Sequence, residues 1–166
     1  VNDYITRDLG SPLLEDSFTI ITTFYNSSLN DSSVRYFSEL NNGDNNNRLG
    51  ETISGTIENN YAVKPNSSWL HQVAPTTVGV RTHIQSYNYN TNELLQLNFD
   101  SSSILNNGVF WSGGNNSEVT LLNGRYLRNF FTKPNNPLHE FRLYDRAMPL
   151  TEMQDLQTEL NNKYTP

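Results

Sequence analysis

The sequence predicts an all-β chain: a two-sheet antiparallel β-sandwich closed by a short C-terminal α-helix. Three observations predict it. Short runs that alternate apolar and polar residues recur along the chain, parted by clusters of Gly, Pro, Asn and Ser, as half-buried strands joined by turns require. A helical stripe stands at the end, where Leu150, Met153, Leu156 and Leu160 recur at the spacing of one helix face. The length of 166 residues fits one domain with one substantial core, its 11% aromatic content supplying large apolar side chains. No repeat and no internal linker divides the chain, so residues 1–166 read as a single domain.

Residues 1–16 read as a lead-in segment, with Gly10, Ser11 and Pro12 as a turn. The first clear strand is 18–25; both of its faces carry apolar residues, which places it inside a sheet covered on both sides. A polar loop over 26–33 leads to an alternating strand at 34–40, and the N-N-G-D-N-N-N run at 41–47 is the plainest loop in the chain. Leu49, Glu51, Ile53, Gly55 and Ile57 mark another strand, and 61–63 a short one before a turn at 64–68. Strands follow at 69–73 and 78–89, broken by Pro75. In the second of these, Val78, Val80, Thr82 and Ile84 form one face and Arg81, His83 and Gln85 the other. Further strands are expected at 94–99, 108–111, 118–122 and 126–131, with 112–117 as a second loop. In the closing strand Phe141 and Leu143 point one way, and Glu140, Arg142 and Tyr144 the other. Pro149 breaks that strand, and Thr151 with Gln154 three residues on forms a capping box for a helix over 151–163. Nine to twelve short strands fit the sandwich.

The order E-F-R-L-Y-D-R-A-M over residues 140–148, with Glu152 and Met153 after it, resembles the closing strand and helix of laminin-G-like, concanavalin-A-like jelly-roll domains. Their usual strand reads D-E-V-R-I-Y-N-R-A-L and is followed by an acidic–apolar pair. Glu140, Arg142, Tyr144, Arg146, Ala147, Glu152 and Met153 stand in matching places, whereas His139 replaces the family's usual acid. The likeness is strongest over 122–164. Upstream, L-N-G-R at 122–125 is similar to the family's I-G-R step, 17–24 to its opening core strand, and S-W-L-H at 68–71 to its W-x-H segment. The resemblance implies a jelly-roll β-sandwich. It leaves function open, because that fold carries lectins, adhesion modules, hydrolases and structural parts.

Charge narrows the partners. The net charge is −6, with eleven Lys and Arg scattered among seventeen acids, and no clustered basic face exists to bind phosphates. Nucleic acid is therefore not expected. No stretch reaches the length of a transmembrane helix, so no membrane insertion is expected, and the N-terminal residues lack the apolar core of a signal peptide. A start at Val1 suggests a processed product or an excised domain. The absence of cysteine excludes disulfides, thiol chemistry and cysteine-based zinc sites, yet leaves the compartment open, because a core of this size needs no bridges. Asn occupies 25 positions, far above ordinary usage. Such a neutral, hydrogen-bonding surface suits contact with sugars, although a biased base composition yields the same richness. The sequons at Asn26, Asn30, Asn66 and Asn115 are what chance gives in such a chain.

Catalytic patterns are missing. Retaining laminarinases of the resembled fold carry an E-x-D-x-x-E strand, and glycoside hydrolysis needs two carboxylates about 5 Å apart. Here the corresponding run, 93–100, reads E-L-L-Q-L-N-F-D, and alternation sends Glu93 and Asp100 to opposite faces. There is no G-x-S-x-G or H-E-x-x-H motif, and His71, His83 and His139 read as surface or core-edge residues. No catalytic residue is assigned and the chain is not expected to be an enzyme. A metal candidate is the loop carrying Asp44 and Asn45, whose oxygens suit calcium; the alternative is a solvated turn.

Carbohydrate sites pair an aromatic face with planar amides. Tyr87, Asn88, Tyr89 and Asn90 form one such set, and Trp111, Asn115 and Asn116 a second. On a regular strand Tyr87 and Tyr89 share a face and make a two-ring platform. The alternative is that these rings pack the sandwich edge and that Trp111, like Trp69, is core. The expected function is non-catalytic surface recognition of cell-surface glycans or virion proteins, with the domain extracellular or on a virion surface, as a homo-oligomer or in repeated display. The alternative is a structural decoration or fibre domain of a bacteriophage particle with no ligand of its own. A glycoside hydrolase ranks third.

Overall fold

The computed structural model describes residues 5–8, 17–26, 34–39, 48–54, 58–64, 70–75, 78–97, 102–109, 118–121 and 138–165. For 5–8, 26, 34–39, 48–54, 58–64, 70–75, 118–121 and 138 it is the backbone pairing alone that is described. Along the chain run β1 (Ile5–Asp8), β2 (Phe18–Asn26), β3 (Val34–Glu39), β4 (Arg48–Ser54), β5 (Glu58–Lys64), β6 (Leu70–Pro75), β7 (Gly79–Asn88), β8 (Glu93–Leu97), β9 (Ser103–Asn107), β10 (Glu118–Leu121), β11 (Leu138–Tyr144) and the helix α1 (Leu150–Tyr164). They fall into two compact units. One comprises Val1–Glu15, Asn30–Pro75 and Phe110–Lys133, and the other Asp16–Leu29, Thr76–Val109 and Pro134–Pro166.

The first unit holds a six-stranded sheet in the order β1-β10-β3-β4-β5-β6, every neighbouring pair antiparallel. Successive hairpins make β3 to β6 a meander, the cheapest way to pair consecutive strands. The strand β1 lies in the expected lead-in segment, where no strand was expected. It is specified by its partner β10, with Ile5 opposite Leu121, and nothing local announces it.

The second unit holds a five-stranded antiparallel sheet, β11-β2-β7-β8-β9, with α1 against one face. As expected, β2 is an interior strand: Phe18, Thr19, Ile20, Ile21, Thr23 and Phe24 are all buried. Register sets Ile21 opposite Ile84 and Ile84 opposite Leu97. On that row sit Met148, Met153 and Leu160, with Leu150, Leu156 and Tyr164 at the margin. The helical stripe read from the sequence is the face that packs. Each large apolar side chain buried there contributes about 1.5–3 kcal/mol.

Two polar side chains interrupt this face and fold the chain over it. Thr19 and Ser86 are buried opposite one another. Left unpaired, each would cost about 1–3 kcal/mol. Instead Thr19 Oγ1 donates to the Arg146 carbonyl (2.7 Å) and Ser86 Oγ to that of Met148 (3.0 Å). Both hydroxyls accept from the Met148 N–H, at 3.1 and 2.7 Å. That clamp turns the chain from β11 into α1. Further along, Gln157 Nε2 donates to the Thr82 carbonyl (2.8 Å) and ties α1 to β7.

The helix start differs from expectation. Pro149 is the N-cap, in extended conformation, with no side-chain cap bond, and α1 begins at Leu150. Thr151 therefore lies within the first turn, and the capping box with Gln154 does not form. Electrostatics takes its place: Glu152, in the first turn, accepts two hydrogen bonds from the Arg146 guanidinium. At the other end Glu140 of β11 accepts from Arg142 Nε, from Lys163 Nζ (2.8 Å) and from the Tyr164 hydroxyl (2.6 Å). These donors hold its pKa down, from 4.5 to about 2, chiefly through the Arg142 hydrogen bond. Most residues that match the laminin-G-like pattern thus join β11 to α1.

Two strand expectations need correction. Ser103–Asn107 is a strand the alternation does not reveal, and the strand expected at 108–111 is absent at its first two residues. Gly108 takes a left-handed φ of 67°, which ends β9 and turns Val109 inward. Trp69 and the strand expected at 126–131 lie outside the described residues.

Candidate functional site

The β7–β8 hairpin presents the clearest site. Its tip is Tyr89–Thr91 and Asn92, and hydrogen bonds set its shape. Asn88 Oδ1 accepts the backbone N–H of Asn90 (3.0 Å) and of Thr91 (3.4 Å), an Asx turn. The Thr91 hydroxyl donates to the Glu93 carboxylate (2.6 Å). Asn92 adopts a left-handed φ of 53°, which Asn tolerates better than most side chains. From outside the hairpin, the Tyr89 N–H donates to Ser17 Oγ (3.1 Å) and the Val109 N–H to the Asn92 carbonyl (2.9 Å). The tip is pre-organised, which lowers the ordering cost of binding.

On this support the Tyr89 side chain is 47% exposed, with Asn90 and Thr91 exposed beside it. A solvent-facing ring next to a free primary amide can stack on the apolar face of a pyranose while the amide meets its hydroxyls.

The two-ring platform is not formed. Tyr87 is 1% exposed; its ring lies 5.5 Å from that of Phe18, across the strand pair. Its hydroxyl shares its one proton between the Val109 carbonyl (3.0 Å) and Asn92 Oδ1 (3.2 Å), and burial pushes its pKa up. Alternation fails because β7 ends at Asn88, so Tyr89 belongs to the turn and points elsewhere. Tyr87 is a buried anchor beneath the tip, as the packing alternative had it. Asn88 is likewise a turn-former: with its oxygen engaged, its NH2 is what remains for a ligand. Trp111, Asn115, Asn116, Asp44 and Asn45 lie outside the described residues, and so does Asp100.

Ser17, Thr91 and Asn92 belong to the tip and were not singled out from sequence. The polar run N-Y-N-T-N-E over 88–93 was the available signal, since Asn and Thr in succession favour side-chain-to-backbone turns. Among the described residues no group of three His, Cys, Asp or Glu is placed to hold a metal. His83 is buried in β7, and that burial holds its pKa down, to about 3, so the ring is neutral. His139 stacks on Tyr164 at 4.7 Å, in a packing role. No helix among the described residues is long and apolar enough to cross a membrane.

No family model and no curated protein matches the chain. Solved structures do. A sialidase CBM40 domain of Ruminococcus gnavus, bound to alpha2,3 sialyllactose, superposes with a TM-score of 0.56 at 9% identity, covering 87% of this chain and 84% of that one. The heptameric SAP-like pentraxin of Limulus polyphemus gives 0.59 at 10% identity, over 86% and 70%. A botulinum neurotoxin type C structure, described through that toxin's interaction with two ganglioside molecules, gives 0.57 at 12% identity, over 91% of this chain but 37% of the toxin chain. At such identities the likeness shows the fold alone: an all-β, two-sheet jelly-roll sandwich with a short C-terminal helix.

Proposed function

We propose that this chain is a non-catalytic recognition module that binds carbohydrate through the β7–β8 hairpin tip, with Tyr89 as the stacking ring and Asn90 as the amide partner. The observation that carries the reading is the exposed Tyr89 ring on a turn fixed by Asn88, Ser17 and Val109. A tyrosine ring that is apolar along its body and polar at its tip suits a surface that is partly apolar and partly wet, as a sugar is. Support also comes from two structural neighbours, one bound to sialyllactose and the other a toxin that interacts with gangliosides. On this reading residues 1–166 act as one domain displayed outside the cell or on a virion surface, and Trp111, Asn115 and Asn116 are a second candidate set for sugar contact. Cell-surface glycans are the expected partners, and calcium at Asp44 and Asn45 is an accessory.

A second reading, a decoration or fibre domain of a particle such as a bacteriophage, is favoured by β9, an uncharged strand at the edge of its sheet among the described residues. One experiment separates the two. The chain, multimerised on beads, is applied to a glycan array with calcium and then with chelator, beside Tyr89→Ala. Specific signals lost in Tyr89→Ala, with folding unchanged, support recognition; loss on chelation adds the Asp44 loop. A blank array in both buffers overturns the carbohydrate reading and favours the structural one.

A further inference from the structure

The five-stranded sheet has two edges, and they are built differently. Natural sheets blunt their edges with charges, prolines, bulges or cover, because an open row of N–H and C=O groups pairs with any compatible strand. The edge β11 is blunted: its register shifts between Leu138 and Glu140, and it carries Glu140 and Arg142. Among the described residues, the edge β9 has none of these devices. Its five residues, S-I-L-N-N, contain no charge and no proline, and its pairing with β8 runs from Ser103 to Asn107 without a shift. Its side chains are exposed on both faces of the sheet. Ile104 is 41% exposed and Leu105, which points the opposite way, 51%.

We propose that β9 is a self-association edge, pairing antiparallel with β9 of a second copy about a two-fold axis at Leu105. The strand is its own complement. Centred on Leu105, all five residues pair: Ser103 with Asn107, Ile104 with Asn106, and Leu105 with its own copy. No like charges face each other, which is the usual obstacle to isologous strand pairing. The exposed Ile104 and Leu105 gain cover on both sheet faces, and Ser and Asn are left to hydrogen-bond at the ends. Gly108 ends the strand, so the pairing is short, and one edge is consumed by one partner. The product is a weak, closed dimer, below the size of a permanent interface. The inference does not depend on the carbohydrate reading. If both hold, the dimer carries two tips, and paired weak sites gain avidity.

The chain contains no cysteine, so single substitutions report the pairing cleanly. Opposite residues of an antiparallel pair lie about 4.5–5.5 Å apart between Cα atoms, within disulfide range. Leu105→Cys should therefore cross-link to its own copy under mild oxidation at least about tenfold faster than Ser103→Cys, whose copies sit about 14 Å apart. Mixing Ser103→Cys with Asn107→Cys should restore cross-linking. For the unsubstituted chain, sedimentation equilibrium should show the 19.0 kDa monomer in reversible exchange with a particle of twice that mass. Leu105→Lys should remove the dimer and leave the melting temperature unchanged, because the side chain is exposed. A chain that stays monomeric at all concentrations overturns the proposal. So does equal cross-linking of Leu105→Cys and Ser103→Cys, or a dimer that survives Leu105→Lys.

Discussion

His83 offers a test of the buried face of β7 that depends little on side-chain detail. The ring is buried and held neutral, its pKa lowered from 6.5 to about 3 by loss of solvent. Below pH 6.5 the unfolded chain binds a proton at this position and the folded chain does not, so stability must fall as pH falls. The contribution is fully present above pH 6.5 and is lost down to about pH 3. Within that window the slope is about 1.4 kcal/mol per pH unit, whatever the lower end point. Between pH 7.5 and 4.5 the loss is about 2.7 kcal/mol, a large part of the roughly 5–15 kcal/mol that holds most domains folded. The perturbation is His83→Gln, which keeps a polar side chain but cannot titrate. Urea melts at pH 7.5, 6.5, 5.5 and 4.5 give stability curves for both proteins. The substitution shifts the His83→Gln curve by a constant that does not matter; its slope should be shallower by about 1.4 kcal/mol per unit below pH 6.5. Parallel curves would refute the argument and place His83 in contact with water.

Glu140→Gln should cost about 1–2 kcal/mol at pH 7. The fall of its pKa from 4.5 to about 2 corresponds to about 3 kcal/mol of preference for the charged form, reduced by screening because the side chain is 20% exposed. That difference from the parent should vanish as pH drops from 4.5 towards 2, and a melting series at constant salt checks it. Ser86→Ala removes a donor to the Met148 carbonyl and an acceptor of its N–H, and should cost about 1–3 kcal/mol in denaturant melts. Recovery of that loss in Ser86→Thr would tie it to the hydroxyl.

The closing strand and helix were legible because two strong periods meet there. Phe141 and Leu143 against Glu140, Arg142 and Tyr144 give the strand, and Leu150, Met153, Leu156 and Leu160 the helix, with each side chain placed by local spacing. What alternation could not show was where it stops. Tyr87 and Tyr89 differ by two and would share a face, yet Asn88 draws two backbone N–H groups into a turn and frees Tyr89 from the strand. The strand β9 was hidden by composition: S-I-L-N-N reads as loop, and its partner β8 defines it. The same holds for β1, which depends on β10. The apolar G-V-F-W run suggested a strand that Gly108 interrupts. The Thr19–Ser86 clamp had a visible sign, since a polar residue on the inward row of a strand must find a partner. Thr19 shares that row with Ile21 and Thr23. The partner itself, the backbone of Arg146 and Met148, lies far along the chain and comes from the tertiary fold.

The central claim is that a ligand covers the Tyr89 ring. The most direct measurement is a two-dimensional amide NMR titration of the labelled chain with lactose, with N-acetyllactosamine and with sialyllactose, repeated on Tyr89→Ala. At least one of these sugars should shift the Tyr89, Asn90 and Thr91 amides in a saturable way. The Tyr89→Ala spectrum should stay folded and show no such shifts. Saturable shifts centred elsewhere, or shifts at the tip that persist in Tyr89→Ala, would contradict it.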